Sequence, residues 1–423
     1  MRDLLPEEAQ QRRALGRRVL DHFALYGYQL VTPPAFEFAE VLERGLGTLD
    51  PADVLRFVEP ESGEVAALRP DMTPQIARMV ASRLTHEPLP MRLCYEGTVV
   101  RRRQGRARRH RQIPQAGVEL YGIASREGDL EVLELAASVV RAAGLESFVV
   151  DLGHAGIARA LLDPLPAPLS AELTDALVHK DVTRLEGLLD AGGTTIVPAA
   201  VARALVGLGD LAGGGPDDPA AASVFARAEK LLAGTAAEAP LRELAALWQA
   251  ARARPDGALA SSLRVDLGEV RGFAYYTGPI FHVLAPGPGE PIAAGGRYDE
   301  LLSRFDAPSP AVGFALHLDA VAWAREAAGA FDGPPFRVLC ALGHDAPHVA
   351  AALRALGIAA AVHGVDADPA GYARSWRFTH VLTAEGGTIR IESAGVLLAS
   401  APAGTPAAEI ARIVAELPDR STR

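Results

Sequence analysis

The stretch from Pro90 to Tyr121 constrains the fold of this 423-residue chain more than any other. Pro90–Arg101 and Gln112–Tyr121 both read as strands, and the loop between them, Arg101–Arg111, carries seven arginines and His110. Unpaired charge of that density cannot enter a core, because each buried ion loses its hydration. The basic run taken alone is therefore a solvated loop joining the two strand-like runs.

Composition narrows the class. The length suits two or three domains, and with 49% apolar and 22% charged residues the chain is an ordinary globular protein rather than a disordered one. A formal net charge of −10 argues against nucleic-acid binding as the main function, since phosphate neutralisation supplies most of that affinity. Met1–Glu8 has acidic residues and Pro6 where a signal peptide needs an apolar core, and no run reaches the roughly 18 apolar residues of a membrane span. A cytoplasmic protein with no membrane partner is expected. Cys94 and Cys340 stand far apart, outside any CxxC or His/Cys cluster, so no disulfide framework and no metal site are expected.

Along the chain, Leu15, Val19, Phe23 and Tyr26 recur at helical spacing, which predicts a helix from Pro6 to Tyr26 with Gly27 beyond its end. Tyr28–Val31 reads as a short strand stopped by Pro33 and Pro34. Arg56–Val58 and Val65–Leu68 form a hairpin that delivers Arg69–Thr73 to the start of a helix near Pro74, with Asp71 or Thr73 as cap. Residues 163–262 are rich in Ala and Leu and predict helical hairpins broken at Gly213–Pro219. Val265–Leu267, Tyr275–Tyr276 and Pro279–Leu284 read as core strands, and Gly295–Gly296 taken alone as a bulge or tight turn. After a linker at Gly329–Pro335, apolar runs at Val338–Leu342, His348–Leu356, Ala359–Val362, Val381–Thr383 and Ile389–Ile391 predict a small α/β domain.

Two segments about twenty residues apart, Arg271–Gly278 and Ala294–Asp299, resemble the paired histidine-recognition motifs of histidyl-tRNA synthetase, a class II aminoacyl-tRNA synthetase. Other motifs of that family stand in the same order. The helix, strand and prolines of the first 34 residues resemble its dimer-forming motif 1, Arg69–Thr73 its Arg-Pro-Glu-Gly-Thr, and Pro90–Tyr121 its motif 2. The resemblance runs to about residue 325 and implies a fold in the α+β class. That fold is a class II synthetase-like antiparallel sheet with flanking helices (1–162 and 263–328), a helical insertion (163–262) and a C-terminal domain (336–423) in the place of the anticodon-binding one. It also implies a histidine pocket of Asp71, Thr73, Arg101, Gln115, Glu119, Arg271, Tyr275, Tyr276 and Tyr298. Those residue types suit the ligand. Neutral imidazole offers one donor and one acceptor, and a buried carboxylate with a tyrosine hydroxyl satisfies both. A carboxylate and a hydroxyl suit the α-ammonium, and an arginine suits the α-carboxylate.

The same comparison shows a damaged nucleotide site. His317 and Ala320 replace the glycine and arginine of the third class II motif, Arg103 replaces a glutamate that contacts the nucleotide, and Ala274 replaces an aspartate. Losing one preorganised electrostatic group typically costs on the order of a hundredfold in rate. Retained histidine motifs beside a disabled ATP site resemble the regulatory-subunit family of short-form ATP phosphoribosyltransferase, paralogues of the synthetase in the first step of histidine biosynthesis. The resemblance implies no catalytic residue, no cofactor and no tRNA partner. It further implies self-association through the class II dimer interface, assembly with a short catalytic subunit that needs this chain for activity, and feedback inhibition by free histidine. A working histidyl-tRNA synthetase and a histidine-binding module for another partner remain the alternatives.

Overall fold

The computed structural model describes residues 3–46, 54–101, 111–214, 221–254, 257–268, 275–330, 336–364 and 368–417. It divides into two compact units, Met1–Ala330 and Phe331–Arg423. The expected positions Arg103, Arg271 and Ala274 lie outside the described residues, as do residues 102–110 of the basic loop and 331–335 of the linker.

The first unit begins with helix α1 (Pro6–Leu25), strands β1 (Gln29–Leu30) and β2 (Phe36–Phe38), α2 (Ala39–Leu46), β3 (Arg56–Val58), β4 (Val65–Leu68) and α3 (Thr73–Arg83). The basic loop is flanked by β5 (Met91–Val100) and β6 (Gln112–Tyr121), followed by α4 (Arg126–Ala142), β7 (Val149–His154) and α5 (Ala155–Leu162). Next come α6 (Ala167–Val178), α7 (Val182–Ile196), α8 (Ala199–Leu208), β8 (Ala212–Gly213), α9 (Ala221–Leu232), α10 (Glu238–Arg252) and α11 (Gly257–Ser262). The unit closes with β9 (Leu263–Asp266), β10 (Pro279–Leu284), β11 (Ala293–Arg297), β12 (Ala311–His317) and α12 (Leu318–Ala327).

Local chemistry accounts for α1. Pro6 stands in its first turn, where no amide hydrogen is needed, Glu7 and Glu8 face the positive end of the helix dipole, and Gly27 takes φ +80° just past the end. Its Leu15, Val19 and Phe23 are buried on one stripe.

Nine strands among the described residues form one sheet in the order β1-β5-β6-β12-β11-β10-β7-β9-β8. Pairing is antiparallel except for β1 with β5 and β7 with β9. β5 and β6 pair along their whole length, from Met91 with Tyr121 to Val100 with Gln112, as arms joined by the basic loop must. Strand alternation then sorts the side chains by face. Ala116, Val118 and Leu120 of β6 and Val312, Phe314 and Leu316 of β12 join the core formed with α1, α4, α12 and the helices after β7. Tyr95, Tyr121, Ile280 and Ala311 belong to a second cluster with α3 and the tyrosines Tyr275, Tyr276 and Tyr298. A smaller sheet, β2-β4-β3, carries the expected hairpin and leads through Arg69, which donates to the Thr98, Pro33 and Pro34 carbonyls, to Met72 of the second cluster.

Two local expectations change. Tyr275 and Tyr276 are not in a strand; they precede β10 in a turn, and Thr277 N donates to Arg297 O. Gly295 and Gly296 make neither bulge nor turn, but sit inside regular β11, paired to both β10 and β12. Glycine is needed there for close approach, since a Cβ on Gly296 would stand 2.6 Å from Pro279 O.

The second unit has a sheet of β13 (Arg337–Ala341), β14 (Ala359–Val362), β15 (His380–Glu385), β16 (Thr388–Ser393) and β17 (Val396–Pro402), ordered β14-β13-β15-β16-β17. Helices α13 (Ala346–Ala355), α14 (Pro369–Ser375) and α15 (Ala407–Ala415) accompany it, and Val349, Leu353, Ile410 and Val414 pack on Cys340, Leu382 and Ile391.

Candidate functional site

Four chain segments converge on the face of the main sheet opposite α1 and α4. The end of the β4 hairpin brings Arg69–Thr73, β6 brings Gln115 and Glu119, the turn before β10 brings Tyr275 and Tyr276, and Tyr298 follows β11. Gln115 and Glu119 are four apart on a strand, so both point the same way. Every one of these functional side chains is at least nine-tenths buried, Glu119 being only 1% exposed.

Their hydrogen bonds form a chain across the site. Thr73 Oγ1 donates to Glu119 Oε1 at 2.7 Å, Thr73 N donates to Asp71 Oδ1 at 3.2 Å, and Tyr275 OH donates to Asp71 Oδ2 at 3.0 Å. Asp71 thus accepts the first amide of α3, although the cap position itself is Met72, which makes no side-chain cap bond, while its other oxygen faces the tyrosines. Tyr275 meets Tyr298 edge to face, with ring centroids 5.5 Å apart at 80°, and Tyr276 at 5.0 Å.

Several buried atoms have no partner among the described residues: Gln115 Oε1, Glu119 Oε2, Tyr121 OH and Tyr298 OH. Buried polar atoms are rarely left so, because each has lost its water without replacement. Glu119 Oε2 and Tyr298 OH lie 2.5 Å and 2.7 Å from the point where a Cβ on Gly313 would stand. Gly313 pairs with Glu119 across β6 and β12, so its missing side chain lets those two oxygens approach the β12 backbone more closely than a Cβ would allow. Burial pushes the Glu119 carboxyl well above the ordinary glutamate range; the Thr73 hydrogen bond opposes that shift and the Asp71 charge adds to it. Burial also raises the Tyr275 and Tyr276 phenols, with Asp71 the next cause for each. The site is a cluster of acceptors and hydroxyls suited to a ligand that brings N–H donors and positive charge.

Arg101 is at the edge of this group, its Nε donating to Pro70 O at 3.0 Å, beside Asp71. The structure thus brings Asp71, Thr73, Gln115, Glu119, Tyr275, Tyr276 and Tyr298 together with Arg101 alongside, and Arg271 lies outside the described residues. Arg297, within the second motif, serves a different purpose. It points to the helix side, donating from Nε to Asp129 Oδ1 at 2.9 Å and from Nη1 to Ile123 O at 3.0 Å and Asp299 Oδ1 at 3.1 Å.

Sequence reasoning did not single out Tyr95, Tyr121 or Gly313. Strand alternation was the available signal for Tyr121, two residues beyond Glu119; Tyr95 and Gly313 required the cross-strand register. Among the described residues no group of three or more His, Cys, Asp or Glu is arranged to hold a metal ion, and no helix is long and apolar enough to cross a membrane.

The family model for histidyl-tRNA synthetase matches residues 1–321. The chain is 43% identical over 328 residues to the ATP phosphoribosyltransferase regulatory subunit of Anaeromyxobacter sp. (strain K), covering 77% of this chain and 90% of that protein. Against the protein of the same name from Symbiobacterium thermophilum it is 36% identical over 408 residues, 90% of this chain and 95% of the relative. The crystal structure of an ATP phosphoribosyltransferase regulatory subunit/histidyl-tRNA synthetase from Bacillus halodurans superposes with a TM-score of 0.74 at 27% identity, covering 91% and 97% of the two chains. With a class II synthetase fold, and at this identity over most of its length, the chain belongs to the ATP phosphoribosyltransferase regulatory subunits, the non-catalytic branch of the histidyl-tRNA synthetase family.

Proposed function

We propose that this chain binds free histidine at the Asp71–Glu119 site, and that it activates a short-form ATP phosphoribosyltransferase catalytic subunit and makes it sensitive to histidine. The observation that carries the reading is the buried Glu119 carboxyl. It is held on one oxygen by Thr73 and has no partner among the described residues on the other, with Asp71 and three tyrosines around it. The imidazole of histidine would lie against Glu119 and Tyr276, and its α-ammonium near Asp71, Thr73 and Gln115. Arg101 and Arg271 would serve the α-carboxylate. Self-association would use the motif 1 region, and the complex would work in the cytoplasm without tRNA.

A working synthetase is disfavoured by position 320. In the resemblance to the third class II motif, Ala320 stands where the synthetase has an arginine, and a buried methyl group supplies no cation for adenylation. Regulation asks less, because histidine need only favour one assembly state by about 1–3 kcal/mol. The test is reconstitution: the chain is mixed with a short catalytic subunit, and complex formation, turnover and histidine inhibition are measured for wild type and Glu119→Ala. The expected result is a stable complex with raised turnover, inhibited by histidine only when Glu119 is present. Inhibition undiminished in Glu119→Ala would place the histidine site elsewhere, and failure to raise turnover would remove the activating role.

A further inference from the structure

The segment carrying Tyr275 and Tyr276 is not a strand, so whatever grips its backbone decides where the two rings stand. One grip comes from the sheet. Thr277 N donates to Arg297 O at 2.8 Å, and Thr277 Oγ1 accepts from Asp299 N at 3.0 Å. The other comes from α5, the first helix after β7. Ala155 N donates to Gly278 O at 3.0 Å, and Arg159 Nη2 donates to Tyr276 O at 2.9 Å. A guanidinium bond to a carbonyl is charge-assisted and stronger than a neutral one.

The helix that holds the tyrosine segment is itself held by the other helices. His154 caps α5 by accepting from Gly156 N on Nδ1 at 3.0 Å, and its Nε2 stands 3.3 Å from Glu243 Oε2 on α10. α5 packs against α6, α8 and α10. A displacement of these helices therefore reaches the tyrosine segment through two bonds, Ala155 N to Gly278 O and the Arg159 side chain to Tyr276 O, of which only the second ends on a tyrosine.

We propose that Arg159 is a positioning residue for the amino-acid pocket: through the Tyr276 carbonyl it sets where Tyr275 and Tyr276 stand over Asp71 and Glu119. Histidine affinity then answers to the placement of the helices after β7. The statement about affinity rests on the histidine reading of the pocket, whereas the ordering of the tyrosine segment does not, and the test separates the two.

In the full chain without ligand, native-state hydrogen exchange at the Thr277 and Gly278 amides is compared for wild type, Arg159→Ala and Arg159→Lys. Arg159→Ala should quicken exchange at both by about ten-fold or more, with the β5–β6 amides unchanged, and Arg159→Lys should recover part of the protection. Titration calorimetry with L-histidine should show a Kd raised about ten-fold in Arg159→Ala and less in Arg159→Lys. Unchanged exchange at the two amides in Arg159→Ala overturns the positioning role, and so does an unchanged Kd where wild type binds. If wild type binds no histidine, the pocket reading fails, and the exchange result alone decides Arg159. If Arg159→Ala does not fold, Arg159→Gln, which keeps an N–H donor, takes its place; exchange quickened throughout the sheet in that variant would make Arg159 a general prop and sink the proposal.

Discussion

Glu119→Gln changes the site's chemistry with almost no change of shape. The glutamine carbonyl can take over the bond that Glu119 Oε1 accepts from Thr73 at 2.7 Å, while the second oxygen, now without a partner among the described residues, becomes an amide. Net hydrogen bonds are worth about 1.5–3 kcal/mol with a charged partner and about 0.5–1.5 kcal/mol when neutral. The variant should therefore bind histidine about 1–2 kcal/mol more weakly, or roughly five- to thirty-fold in Kd. The free protein should respond in the opposite direction. Burial raises the folded-state pKa of Glu119, so the folded state holds this proton more tightly than the unfolded chain. The stabilising contribution is fully present below the ordinary glutamate range and is lost as pH rises through the raised folded value. Glutamine has no such loss. The melting temperature of Glu119→Gln relative to wild type should therefore climb as pH rises above the ordinary glutamate range. Calorimetric titration with L-histidine and melting curves from pH 5 to 9 read both effects. Equal histidine affinity in the two proteins, together with a melting difference flat across pH, would refute the assignment of Glu119 as a buried, ligand-seeking carboxyl.

Gly313→Ala should lose histidine binding, because the new methyl group would push Glu119 Oε2 and Tyr298 OH from their places and also meets Val118 O; overpacking of this kind costs about 1–3 kcal/mol, readable in a denaturant melt. Asp129→Ala should destabilise the first unit by about 3–5 kcal/mol, since it leaves the buried Arg297 without its Nε partner. Urea unfolding checks this, and a loss below about 1 kcal/mol would show that Ile123 O, Ser125 O and Asp299 suffice for the guanidinium. Histidine-dependent ATP–pyrophosphate exchange should be absent, because Ala320 offers no cation; exchange at the rate of a working synthetase would contradict the regulatory assignment.

Short-range chemistry was legible where it repeats along the chain. The α1 stripe, the hairpin leading to Arg69 and the two arms of the basic loop follow from helical spacing, proline placement and strand runs, and each is found within a few residues of where those rules put it. The C-terminal end of the second unit was less readable: β17 and α15 were not anticipated, and for β17 the reason is that Val396–Pro402 is largely exposed and carries little apolar alternation. Tyr275 and Tyr276 looked like strand residues because tyrosine favours strands, yet Arg159 holds the Tyr276 carbonyl, and Arg297 and Ala155 hold the backbone of Thr277 and Gly278 just after it.

Motifs record the identity and order of side chains, so the family was readable along the chain, as were the residue types proposed for a histidine pocket and the alanine at 320 where the synthetase motif has an arginine. Tertiary structure alone decided how those side chains relate. Thr73 reaches Glu119 across 46 positions and Tyr275 reaches Asp71 across 204, distances over which no local propensity acts. It also turned Arg297 toward Asp129 and set Gly313 where Glu119 and Tyr298 come too close for a Cβ. Both results come from strand register, where a shift of one residue would put every side chain on the opposite face.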